Sequence, residues 1–79
     1  MISMDETTAI SRLQQGNPDG LEFLVKTYQV RVVHTAYMIV FDRIVAEDIA
    51  QTAFLCVADK IDQFDMMRPF APWFFRIVI

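Results

Sequence analysis

A single cysteine, Cys56, rules out an internal disulfide in this chain and suits a reducing compartment. Only two glycines occur, Gly16 and Gly20, with three prolines, Pro18, Pro69 and Pro72. With so few turn-formers and no sustained strand-like alternation, the pattern reads as all helix. A basic excess is missing as well, because ten acids outnumber seven Lys and Arg for a net charge of −3. Stand-alone nucleic-acid binders draw much of their affinity from phosphate neutralisation. Either nucleic acid is no partner, or the chain binds DNA only alongside something else.

Other absences narrow the field further. The apolar stretches fall far short of the roughly 20 residues that a membrane span needs, so no membrane partner is expected. The opening "MISMDETT" lacks the basic and apolar regions of a secretory leader, and a cytoplasmic location follows as the expectation. Histidine occurs once, at His34, between Val33 and Thr35. A surface or core-edge role suits it, since metal sites want several ligands. "DKIDQFD" spaces Asp59, Asp62 and Asp65 by three, whereas calcium loops need oxygens at alternate positions. These acids read as caps and solvated turn residues. Cys56 borders an apolar face and reads as an inert packed thiol. No nucleophile–base pair and no phosphate-cradling glycine loop is visible, so neither catalysis nor a cofactor is expected.

What is present is apolar bulk: 54% of the residues are hydrophobic and 13% aromatic. That suffices for the core of one domain near the lower size limit for folding without staples. A first helix is predicted from about Thr7 to Gln15, with Ala9, Ile10 and Leu13 as its apolar face. "GNPDG" ends it: Gly16 suits a C-cap, Asn17 can cap the next helix, and Pro18 fits a first helical position. The second helix spans about Pro18 to Phe41. Leu21, Leu24, Val25, Tyr28, Val32, Ala36 and Ile39 follow helical spacing, with Glu22, Lys26 and Gln29 on a polar edge. Asp42 then serves as N-cap for a third helix, about Arg43 to Ile61. "DQFDMMR" reads as a loop. Pro69 and Pro72 are tolerable only in a first turn, so a fourth helix begins there. The chain then ends on three apolar side chains, an ending that suggests a cut from something longer.

Within the third helix, "AEDIAQTAF" poses a question of its own. At about 100° per residue, Asp48, Gln51, Thr52, Leu55 and Asp59 fall on one side. Ala46, Ile49, Ala50, Ala53, Phe54, Val57 and Ile61 fall on the other and form the core stripe. The first set is polar with a leucine in its middle. One reading is a solvated face with a stray hydrophobe. The other is a docking surface, an apolar anchor ringed by acids and suited to a basic helical partner.

"AEDIAQTAF" resembles the signature helix of bacterial RNA polymerase sigma factors, especially the small extracytoplasmic-function type. "GNPDGLEFLVKTY" is similar to that family's opening helix turn, and "FDMMRPFAPWFFRI" to its following loop and Trp-containing helix. The likeness covers about residues 9–79 and implies an all-α conserved region 2 domain, with three main helices and a short C-terminal one. In that family the signature helix docks on the basic clamp helices of the polymerase β′ subunit. The resemblance implies polar contacts from Asp48 and Gln51, with Glu47, Thr52 and Leu55 as neighbours in the same interface. An anti-sigma factor is a second implied partner, competing for the same surfaces.

The family's next segment reads and opens the promoter −10 element, capturing the non-template strand with one base turned out into a loop pocket. The matching residues run from Asp62 to Arg76. Stacking needs apolar ledges and phosphates need cations. Phe64, Met66 and Met67 are therefore expected to line a pocket, Arg68 and Arg76 to meet phosphates, and Trp73 to support the opened strand. Each has a plainer role open to it. Trp73, Phe74 and Ile77 suit a core, Phe64 suits a plug beneath the loop, the methionines suit a flexible loop, and the arginines suit solvent. The family's basic stretch beyond this helix, and its second domain for the −35 element, have no counterpart in these residues. The expectation is a domain that docks on polymerase but binds duplex DNA poorly alone. The alternative is a helical adaptor with no nucleic-acid role; sequence beyond Ile79 separates the two.

Overall fold

The described residues fold into four α-helices: α1 (Glu6–Gln14), α2 (Asp19–Val40), α3 (Arg43–Lys60) and α4 (Phe70–Val78). A single 3-10 turn (Ile61–Gln63) leads out of α3, where the sequence suggested loop from Asp62 onward. The computed structural model describes residues 4–79, so the reading of "MISMDETT" falls partly outside the described residues. Among the described residues there is no strand, and no helix is long and apolar enough to cross a membrane. The all-α class and the helix order match expectation, although α1 is as short as α4, at nine residues each.

Local chemistry sets the boundaries. Asp5 caps α1 by accepting the Thr8 N–H at 2.7 Å, and that bond holds its carboxyl below the usual value. At the other end Gly16 takes φ 85°, its N–H reaching the Leu13 carbonyl at 3.0 Å while Asn17 N–H reaches that of Arg12 at 2.9 Å. This paired closure requires a left-handed residue, and glycine adopts that conformation without steric cost. Asn17 Oδ1 then accepts the Asp19 N–H at 3.0 Å, so one five-residue segment ends α1 and starts α2. Asp42 likewise caps α3 through the Val45 N–H at 3.1 Å.

The core lies where α2, α3 and α4 meet. Phe74 is wholly buried, with its ring 5.2 Å from Phe54 and 5.5 Å from both Tyr28 and Phe70. Each such ring contributes about 1.5–3 kcal/mol through burial, and the tilted contacts add to this. The predicted α3 stripe is confirmed: Ala46, Ala50, Ala53, Phe54, Val57 and Ile61 are buried, with Ile49 half-buried. Small residues on that face allow close approach to α2. On α2, Leu24, Tyr28, Val32 and Ala36 are buried as expected. Ile39 is not; it is 57% exposed. Helical spacing in the last turn of α2 therefore points Ile39 at solvent.

Candidate functional site

Burial of Ala50, Ala53 and Phe54 rotates the opposite side of α3 outward. Glu47, Asp48, Gln51, Thr52 and Asp59 are exposed, and Leu55 is 68% exposed in their midst. Glu47 is partly occupied by Arg43 at 3.2 Å, a surface pair of small energetic value. Asp48 and Asp59 have no ion-pair partner among the described residues, which leaves their charge available to a cation from outside.

The packed bundle divides this strip into two rows. Glu47, Gln51 and Leu55 form one wall of a groove of about 480 Å³, with Leu21, Gln29 and Val33 of α2 opposite. Asp48 and Thr52 instead border a smaller hollow of about 180 Å³ beside Cys56, Ile77 and Val78, at the α4 side. A helical rod laid along α3 would meet a carboxylate on each flank of its apolar anchor. The α2 wall escaped sequence reading because Gln29 and Val33 gain meaning only once α2 lies beside α3.

A third concavity opens between the loop after α3 and α4. It measures about 300 Å³ and is lined by Gln63, Phe64, Asp65, Arg68, Pro69, Pro72, Trp73 and Arg76. Gln14 fixes its loop from beneath, donating Nε2 to the carbonyls of Ile61 at 3.0 Å and Phe64 at 3.2 Å. Asp65 shapes the turn by accepting the Met67 N–H at 2.9 Å. Trp73 is half-buried, resting on Phe64 at 5.1 Å and Phe70 at 5.9 Å, with part of it left on the cleft. Arg68 and Arg76 are exposed at the rim.

The three residues expected to line a pocket separate here. Phe64 lines the cleft as expected, but it is only 6% exposed and held edge-on against Phe70 at 5.5 Å, so it offers little face to an incoming ring. Met66 and Met67 do not line the cleft, and Met67 is 91% exposed. The Asp65–Met67 bond turns the chain so that these side chains project outward. Gln63 and Asp65 take their places on the wall. Sequence reading missed both, having treated Asp65 as a solvated turn acid. His34 is exposed and Cys56 half-buried, in keeping with the plain roles assigned to them. Among the described residues no cluster of His, Cys, Asp or Glu could hold a metal ion.

Comparison with known proteins meets this geometry. The profile of the sigma-70 region 2 family matches residues 24–79. The ECF RNA polymerase sigma factor SigW of Bacillus subtilis (strain 168) is 34% identical over 68 residues, covering 86% of this chain. The chain spans 36% of the length of that relative. In structure it is similar to an engineered region 2 of sigmaE, solved by NMR in complex with GTAAAA. That likeness has a TM-score of 0.87 at 28% identity and covers 98% of this chain and 82% of the other. By sequence and by fold, this chain belongs to the sigma-70 region 2 family.

Proposed function

We propose that the chain acts in transcription initiation, docking on RNA polymerase through α3 and capturing the promoter −10 element at the loop–α4 cleft. Core binding and −10 recognition are the work of region 2 domains as a family. The observation that carries the assignment to this surface is Leu55, 68% exposed on the same side as the unpaired Asp48 and Asp59, on a helix whose other side is largely packed. The proposed partner is the basic clamp-helix pair of the β′ subunit. Asp48 and Gln51 make the polar contacts, while Glu47, Thr52 and Leu55 complete the interface. An anti-sigma factor competes for this face.

On the DNA side, Trp73 supplies a ledge and Arg68 and Arg76 supply charge to the phosphates of the non-template strand. A net charge of −3 opposes binding to duplex DNA in isolation. Capture of a clamp-helix fragment by this chain, with weak binding to promoter duplex at physiological salt, is the expected outcome of a two-part pull-down. Tight duplex binding without polymerase would overturn this division of labour.

A further inference from the structure

The turn joining α2 to α3 carries apolar side chains that the core does not use. Met38, Ile39, Phe41, Ile44 and Val45 are exposed there, and Val30 is exposed two turns back along α2. Beside them lies a hollow of about 550 Å³, walled by Val30, Val33, His34 and Tyr37 of α2 and by Arg43 and Glu47 of α3. Phe41 is not part of that wall, yet its ring stands 6.2 Å from that of Tyr37. It is exposed and in the left-handed region at φ 54°, a conformation that costs energy for an aromatic residue. A projecting ring and a hollow able to hold it thus sit side by side.

We infer that this turn is a self-association surface, on which the Phe41 ring of each copy enters the hollow of a second copy of this chain. The inference goes beyond the transcription reading and does not depend on it. Knob and hollow adjoin on one patch, so a two-fold axis passing between them satisfies both at once and closes the assembly at two. Charge agrees. Asp42 is engaged by the Val45 N–H and Glu47 by Arg43 at 3.2 Å, so a basic partner gains little here and a near-neutral one is not repelled. The unpaired Asp48 and Asp59 oppose a meeting of two copies through the α3 strip instead. Area agrees as well. A standard interface takes about 800 Å² from each partner, a little over half of it apolar. The six exposed apolar side chains supply roughly 400–600 Å². Gln29, Val33 and Glu47 also line the α2–α3 groove, so a paired copy covers part of the face proposed for polymerase and competes with it.

Sedimentation velocity of the wild-type chain, from about 5 to about 500 µM, reads the association directly. The expected midpoint is on the order of 100 µM, the weak end for an interface of this size, with no species larger than two copies. Melting curves taken at about 5 µM therefore report the single copy. Phe41→Gly removes the knob and Val30→Glu places a charge in the hollow; both positions are exposed, so the fold survives. Each moves the midpoint about tenfold or more, while Met67→Glu, on the distant loop, leaves it unchanged. A chain that stays monomeric to about 500 µM overturns the inference. So does association that both substitutions leave intact, or that grows past two copies. If amide signals of the turn shift on adding the clamp-helix fragment but not on concentrating the chain, the occupant is polymerase and the inference falls with the docking reading left standing. Loss of clamp-helix capture, conversely, leaves the sedimentation result untouched.

Discussion

Gly20 lies so close to Ala9 that a Cβ placed on it would stand 2.1 Å from the Ala9 carbonyl oxygen. This is where α1 and α2 touch, and the obstacle is backbone, which cannot swing aside as a side chain can. Gly20→Ala therefore has to displace α1. The expected loss is about 3 kcal/mol, read as a lower urea midpoint. Because Gln14 of α1 holds the cleft loop, amide signals from Ile61 to Phe64 shift as well.

Asp48→Arg tests the docking face. Asp48 is exposed, without an ion-pair partner among the described residues, so the fold does not need its charge. Reversing it opposes a basic partner at a cost of about 2–5 kcal/mol. Pull-down of a β′ clamp-helix fragment is expected to vanish while the helical circular dichroism spectrum is unchanged. Undiminished capture would count against docking through α3.

Phe41 ends α2 in the left-handed region at φ 54° while 70% exposed. A side chain there costs about 1–2 kcal/mol, and its edge contact with Tyr37 at 6.2 Å offsets only part of this. Phe41→Gly removes the clash but adds entropy to the unfolded chain. A net gain of about 0.5–1 kcal/mol is expected, visible as a raised melting temperature. An unchanged or lowered value would show that the aromatic contact outweighs the strain.

Tyr28 gives a pH signature. Its phenol is buried and donates to the Glu6 carboxylate; burial first, then that bond, pushes its pKa from the ordinary 10.0 up to about 12. The folded state thus holds this proton more tightly than the unfolded chain does. The resulting stability is complete below pH 10 and is lost as pH rises through about 12. Urea midpoints of wild type should fall toward those of Tyr28→Phe across that window. Parallel curves would mean the phenol titrates normally.

The helices and the two sides of α3 were legible in the residues themselves. Capping by Asp42, closure at Gly16 and the alanine stripe with Phe54 are fixed by neighbours within a few positions, and the helical period reaches no further. Local spacing therefore said which side of α3 faces out. It could not say that Glu47 and Asp48, adjacent in sequence, flank different hollows. Nor could it say that Phe64 is buried while Met67 projects, or that Ile39 keeps the core period where no core remains. Those outcomes depend on how far α1 and α4 extend along the longer pair and on which ring reaches the space beside Trp73 and Phe70. Burial is settled by surfaces brought together from distant parts of the chain, so only the assembled bundle decided them.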